Sequence, residues 1–192
     1  MNTLFAIEPA YPEGFSYIPD FIDSDEERTL MMEISKTELH HFNFHGFKAN
    51  RKVASFGYDY SFDNEHLTKG KHWPVAFDFL IQKVTALLVA HDLAPFAELL
   101  VTEYPPGSVI NWHRDAPPFD LIAGISLVAD CTFQLRPQDK QKQGRSSVIS
   151  FAAQLLSLYI IAGHARTDWQ HSIAPVKETR FSVTLRTLRD KT

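Results

Sequence analysis

Cysteine is almost missing from this chain of 192 residues: Cys131 stands alone, so no intramolecular disulfide can form and a reducing compartment fits. It lies beside Thr132 and Phe133 in a β-like run and reads as a small buried hydrophobe, not a nucleophile. Basic excess is missing too. Lys and Arg number 19 against 23 Asp and Glu, a net charge of −4, so no global positive field holds a polyanion, although a local patch still could. No stretch approaches the roughly 20 apolar residues of a spanning helix. Met1 to Glu8 has no basic segment before its short apolar run, which argues against a secretory signal. Internal repeats and low-complexity linkers are absent. With 44% hydrophobic residues to build a core, the expectation is one domain over 1–192, cytoplasmic, monomeric and without membrane contact.

What is present divides into helices first and strands after. Tyr17 to Ile22 reads as an extended lead-in. Asp23 or Ser24 then caps a helix, with Glu26 or Glu27 as capping-box partner and Leu30, Met31 and Ile34 on its apolar side. A second helix starts near Pro74 and carries Phe77, Leu80, Ile81, Val84, Leu87 and Leu88 at helical spacing up to about His91. From Ala97 onward, eight short runs rich in Val, Ile, Leu, Phe and Tyr (98–104, 109–115, 122–129, 131–136, 146–151, 154–161, 168–173 and 180–188) alternate with turn residues. That spacing reads as a β-sandwich or jelly roll. The fold expected is mainly β with flanking helices, an α+β protein whose N-terminal helices buttress a sheet.

Three residues carry the chemistry. If 109–115 is a strand, His113 and Asp115 project to one face while Arg114 faces away. A distant strand could bring His171 alongside, and two imidazoles with one carboxylate are the ligand set of a non-haem iron(II) centre that keeps open positions. An ordinary His–Asp hydrogen bond is the plainer alternative for the first pair. On the last strand Arg180, Ser182, Thr184 and Arg186 share one face, and Phe181, Val183 and Leu185 share the other. The polar face either meets solvent or lines a cavity where two guanidinium groups could grip a dicarboxylate. His40, His41 and His45 have no matched fourth ligand nearby and read as a polar loop. His113-Arg114-Asp115 spells a kinase triplet, but Asp120 stands where Asn is needed and no glycine-rich loop accompanies it.

Tyr104-Pro105-Pro106-Gly107 before His113-x-Asp115, then His171, then Arg180 and Arg186, together resemble the AlkB-type 2-oxoglutarate- and iron(II)-dependent dioxygenases. The resemblance runs from about Tyr17 to Arg189. It implies a double-stranded β-helix, with helices and a substrate lid over about 17–96 and the jelly-roll core over about 97–189. It also implies Fe(II) on His113, Asp115 and His171, with 2-oxoglutarate and O2 as cosubstrates. Arg180 would meet the far carboxylate of 2-oxoglutarate with Tyr104 assisting, and Arg186 would lie near its metal-side carboxylate and the reaction centre. Thr102 and Ser182 stand where familiar members carry Asn, and either hydroxyl can still reach the cosubstrate. Pro117 stands where nucleobase-reading members carry a carboxylate. The segment from Arg51 to Tyr60 resembles the substrate lid: Phe56, Tyr58 and Tyr60 would stack on a flipped base and Arg51 and Lys52 would meet phosphate. A plain amphipathic hairpin over the barrel mouth is the alternative. A second basic stretch, Arg136, Lys140, Lys142 and Arg145, reads as a solvated loop or a grip on a nucleic-acid backbone. The activity implied is hydroxylation or oxidative demethylation, foremost of alkylated DNA or RNA bases. The alternatives are a protein side chain or small molecule, or a non-enzymatic jelly-roll module that binds a metal or small acid.

Overall fold

The computed structural model describes residues 10–44, 46–89 and 94–189; Met1 to Glu8, His45 and His91 fall outside them. Twelve strands are described: β1 (Phe15–Ile18), β2 (His40–Phe44), β3 (Phe47–Ser61), β4 (His66–Lys69), β5 (Phe96–Tyr104), β6 (Ile110–His113), β7 (Phe119–Leu127), β8 (Cys131–Pro137), β9 (Ile149–Ala153), β10 (Leu158–Ile161), β11 (Trp169–Ile173) and β12 (Arg180–Leu188). The helices are α1 (Ser24–Ile34), α2 (Asp78–Leu87) and the short α3 (Gly163–Thr167). A large sheet runs β1-β10-β7-β12-β5-β3-β2, with β4 added to β3, and a small sheet runs β6-β11-β8-β9. This is the jelly roll expected, left open at its edges.

Strand alternation decides what each face of the large sheet does. Leu99, Val101, Val183 and Leu185 point outward and bury against Leu30 and Ile34 of α1 and Leu80 and Val84 of α2. Tyr104, Ile122, Tyr159 and Ile161 point inward and meet Phe133, Leu135 and Ile173 of the small sheet. Each fully buried aliphatic side chain contributes about 1.5–3 kcal/mol over an exposed one, so the helices fix the sheet's curvature from behind while the inner face stays free for polar groups. Gly124 makes room there: a Cβ at this position would lie 2.1 Å from the Tyr159 ring.

The helix signals hold with small shifts. Asp23 accepts from the Asp25 and Glu26 amides, and Glu26 accepts from the Asp23 amide at 2.9 Å, closing the capping box. Lys83 of α2 reaches Glu26 at 2.7 Å and ties the two helices together. Pro74 keeps an extended ψ of 142°, so the helical path begins after it with a 3-10 turn, Val75–Phe77. Residues 17–96 depart further from expectation. They add β2 to β4 and the end of β1, and β3 alone spans 15 residues. Among the described residues no helix is long and apolar enough to cross a membrane.

Candidate metal centre and cosubstrate site

β11 pairs with β6 so that His171 stands opposite His113. The ring centroids lie 4.2 Å apart, and Phe133 stacks on His171 at 5.6 Å. Asp115 arrives differently from expectation. β6 ends at His113 and Asp115 sits in the irregular segment that follows, ahead of a turn made by two prolines that cannot continue a ladder. Its aim comes from Arg166, buried at 4% exposure, whose Nη2 donates to the carbonyls of Asp115, Ala116 and Phe119 at 3.1, 2.9 and 2.9 Å. No sequence pattern announces that clamp. One ligand atom from each of His113, Asp115 and His171 lies within 4.8 Å of the others, the only such metal-capable group among the described residues.

The donor set suits a divalent cation. His113 Nδ1–H donates to the Asn111 carbonyl at 2.8 Å, which leaves Nε2 as the free lone pair. Burial lowers the pKa of both histidines, that of His171 to about 3, so each presents a neutral ring to a metal. For Asp115 burial works to raise the pKa, but Arg186 and the two histidines outweigh it and hold the carboxyl well below the usual range. Arg186 Nε and Nη2 bind Asp115 Oδ1 at 3.1 and 2.7 Å, while Oδ2 turns to His171 Nε2 at 3.5 Å. One carboxylate oxygen is thereby locked and the other faces the ligand group.

Register on the inner face of β12 explains the rest. Arg180 stands opposite Tyr104, Ser182 opposite Thr102, and Arg186 opposite Glu98 of β5. Arg186 Nη1 binds Glu98 Oε2 at 2.5 Å, and Ser55 donates to Glu98 Oε1 at 3.2 Å. Burial pushes the Glu98 carboxyl up and Arg186 pulls it back. Glu98 is a site residue that the sequence did not single out; a register-matched acid opposite an arginine is visible only once the strands are paired. Arg180 is 0% exposed, with Nε and Nη2 donating to Ser126 Oγ at 3.1 and 2.9 Å, and its Nη1 has no partner. Its guanidinium lies 4.9 Å from the Tyr104 ring, and Tyr104 Oη lies 3.4 Å from Ser182 Oγ. A buried guanidinium nitrogen without an acceptor is what a carboxylate ligand would complete, so the residues present fit both iron(II) and a dicarboxylate.

The cavity between the sheets measures about 130 Å³, near the roughly 150 Å³ at which an engineered void holds benzene. Thr102, Tyr104, Tyr159, Thr184 and Glu98 form its depth, with the triad and Arg186, while Phe42, Arg51, Asp59, Tyr60 and Phe62 form its other side. Of the expected lid residues, Arg51 and Tyr60 reach this cavity and Phe56 and Tyr58 do not. Phe56 packs on the helical core beside Phe77, and Tyr58 lines a separate groove with Trp73 and Lys69. Plain alternation puts Phe56 and Tyr58 on the face opposite Arg51 and Val53; Gly57, at φ +79° with its amide given to the Lys71 carbonyl, breaks that alternation and Tyr60 returns to the cavity. Phe42, from β2, is a wall residue the sequence did not single out. His40 and His41 lie on β2, with His41 bound to the Ala49 carbonyl. Arg136 stacks on Trp112 at 4.4 Å and donates to Gln170, on the face of the small sheet opposite the triad.

Comparison with known proteins follows the same lines. The profile of the 2OG-Fe(II) oxygenase superfamily matches residues 14–189. The tRNA (carboxymethyluridine(34)-5-O)-methyltransferase alkbh8 of Xenopus tropicalis is 28% identical over 185 residues, 89% of this chain but 27% of that protein. The chain thus spans about a quarter of the methyltransferases it matches. The mitochondrial alpha-ketoglutarate-dependent dioxygenase alkB homolog 7 of Mus musculus is 25% identical over 85% of this chain and 68% of its own. Among solved structures, OsALKBH1 superposes with a TM-score of 0.66 at 13% identity, covering 93% of this chain and 100% of the other. A Trichoplax adhaerens prolyl hydroxylase in complex with a hypoxia inducible factor peptide gives 0.67 at 16% identity, covering 93% and 84%.

Proposed function

This chain belongs to the 2OG-Fe(II) oxygenase superfamily, and from that premise we propose that it is a dioxygenase that hydroxylates or oxidatively demethylates alkylated bases of DNA or RNA, with residues 1–192 acting as one catalytic domain. The observation that carries the chemistry is the pairing of two facing sheets, the His113, Asp115 and His171 group on the small sheet's side and the buried, unpaired Arg180 Nη1 on the inner face of the large sheet. Bound there, Fe(II) with 2-oxoglutarate and O2 supplies the oxidising chemistry that side chains cannot. The protein's own residues bind, aim and exclude water. His113, Asp115 and His171 hold the metal. Arg180, helped by Tyr104, Thr102 and Ser182, holds the far carboxylate of 2-oxoglutarate. Arg186 keeps Asp115 ionised and prevents its rotation, and Glu98 holds its other edge beside the triad. Ile122, Phe133 and the Tyr159 ring add apolar wall beside those polar groups.

The substrate reading rests on the other side of the cavity. Phe42, Tyr60 and Phe62 offer ring surface and Arg51 offers a cation, which suits a base swung out of its strand. The names of a tRNA-modifying relative and of an AlkB-type structural neighbour add support. A protein side chain is the second reading, favoured by Pro117 in place of a base-reading carboxylate and by the superposition on prolyl hydroxylases.

Two measurements test this. Anaerobic addition of Fe(II) and 2-oxoglutarate is expected to give a weak visible charge-transfer band in the wild type and none in Asp115→Ala; a band of equal strength in the variant overturns the ligand assignment. Methylated single-stranded oligonucleotides are expected to lose methyl groups as formaldehyde, with binding that weakens linearly in log affinity against log salt. Salt-independent binding without turnover favours the second reading.

A further inference from the structure

Tyr159 of β10 brings a buried hydroxyl into the cavity that no role described so far uses. It stands in register with Gly124 of β7, which in turn stands opposite Thr184 of β12. Ala123 and Ile125 pack toward the helices, so position 124 faces inward. A Cβ there would lie 2.1 Å from Tyr159 Cζ and 2.3 Å from its Oη. The side chain therefore lies flat across the cavity floor, in space that only a glycine leaves open. Its ring tilts against Phe133, with centroids 4.8 Å apart, and Phe133 stacks on His171. Thr184 lies between Arg180 and Arg186 on the same inner face, so the phenol crosses the floor between the two arginines. Its hydroxyl makes no hydrogen bond to a described residue. A buried phenol usually finds a partner, and an unmet buried donor is costly. Burial, with Tyr104 and Asp115 adding to it, pushes this phenol's pKa well up against the pull of Arg180 and Arg186, so it stays protonated and keeps its donor.

Three arguments choose the acceptor. The carboxylates of the cavity depth are engaged: Asp115 has Oδ1 on Arg186 and Oδ2 toward His171, and Glu98 takes Ser55 on one oxygen and Arg186 on the other. The acceptor must then come from a ligand. Among the neighbouring groups, Tyr104 and Arg180 act on the phenol more strongly than Asp115 and Arg186, which places it toward the Arg180 end of the floor. At that end the Arg180 fork is incomplete. Its Nε and Nη2 edge is closed on Ser126, and Nη1 is the nitrogen left over. A carboxylate offers two oxygens and about four lone-pair sites, so one guanidinium nitrogen and the Tyr104 hydroxyl leave acceptor capacity over. We infer that the Tyr159 hydroxyl donates to the far carboxylate of 2-oxoglutarate and completes a receptor made with Arg180 Nη1 and Tyr104. Gly124 is the permissive half of the same device, since any side chain there displaces the phenol. The inference rests on the cosubstrate site proposed above and is independent of the substrate reading.

The test compares two acids, titrated anaerobically into the Fe(II)-loaded protein and read through the charge-transfer band. 2-Oxoglutarate has the far carboxylate; 2-oxobutanoate keeps the keto acid end and lacks it. The wild type is expected to bind 2-oxoglutarate more tightly. Tyr159→Phe keeps the ring and removes the hydroxyl. It is expected to weaken 2-oxoglutarate by roughly tenfold to a hundredfold, the range of one hydrogen bond to a charged group, and to leave 2-oxobutanoate within about twofold. Succinate formation at saturating 2-oxoglutarate is expected to stay near the wild-type rate, because the contact is uniform binding and shows in KM. Gly124→Ala is expected to cost 2-oxoglutarate at least as much, and to add little when built on Tyr159→Phe, a non-additivity that marks one shared contact. Melting curves check that each variant is folded, and Tyr159→Phe decides alone if Gly124→Ala is not. An unchanged 2-oxoglutarate affinity in Tyr159→Phe overturns the inference and leaves the residue as wall. An equal loss for both acids also overturns it and moves the contact to the metal end. If the wild type binds the two acids equally, the far-carboxylate role of Arg180 itself fails, and this inference with it.

Discussion

Arg180 and Arg186 stand on the same face of the same strand, both buried against the same sheet, yet their surroundings differ in kind. Arg186 is closed off by two carboxylates, Asp115 on one edge and Glu98 on the other. Arg180 meets no carboxylate among the described residues: it has the Ser126 hydroxyl and the ring and hydroxyl of Tyr104, with Nη1 left over. One end of β12 is assembled before any ligand arrives. The other end is arranged around a charge that the protein does not neutralise, and a buried charge in that condition is kept for something else. The comparison separates scaffold from receptor without reference to any relative.

The sharpest way to break it is Arg180→Met. Removing one partner of a buried, hydrogen-bonded charge pair costs about 2–5 kcal/mol, so 2-oxoglutarate affinity is expected to fall roughly thirtyfold to several-thousandfold. The metal-free, ligand-free protein should meanwhile hold or gain thermal stability, because an unpaired guanidinium has been exchanged for an apolar chain of similar length. Calorimetric titration and a melting curve read the two effects. A clear drop in the ligand-free melting temperature would mean that Arg180 is scaffold after all.

Arg186→Met should behave in the opposite sense. It strands two buried carboxylates at once, and breaking a buried pair costs about 3–5 kcal/mol. The expected result is a destabilised ligand-free protein by urea denaturation, with weakened Fe(II) binding because Asp115 is free to rotate. If stability were unchanged, the closed end of β12 would be no more built-in than the open one.

Much of this contrast was legible in the sequence, and the rest was hidden for physical reasons. The alternation Arg180, Ser182, Thr184, Arg186 announced one polar face, and the apolar residues between them announced a second, buried face. The runs from Ala97 onward became strands close to their expected bounds because each is short, apolar and fenced by turn residues. Asp23 and Glu26 gave α1 its start. What could not be read was register. Nothing local says that Glu98 will stand opposite Arg186, or that the Arg166 side chain will gather three carbonyls around Asp115. β3 was hidden for another reason: Phe56 and Tyr58, plausible in any lid, alternate away from Arg51 and Val53 to the helices and an outer groove, and a break in period at Gly57 returns Tyr60 to the cavity.

Ser126→Ala is the smallest of these changes and the one that sharpens the comparison. Ser126 Oγ, 0% exposed, is the acceptor for Arg180 Nε and Nη2, and the pairing of Ser182 with Ser126 across β12 and β7 puts it there. Without that oxygen the buried guanidinium keeps only the Tyr104 hydroxyl beside it, and the ligand-free fold is expected to lose about 1–3 kcal/mol, the cost of leaving buried donors unmet. A bound dicarboxylate would return acceptor oxygens to the same group. Saturating 2-oxoglutarate should therefore raise the melting temperature of Ser126→Ala by at least as much as it raises the wild type's, with affinity held or slightly tightened. A smaller ligand-induced rise in the variant would show that the carboxylate docks elsewhere, and that Arg180 is unpaired for a reason other than the cosubstrate.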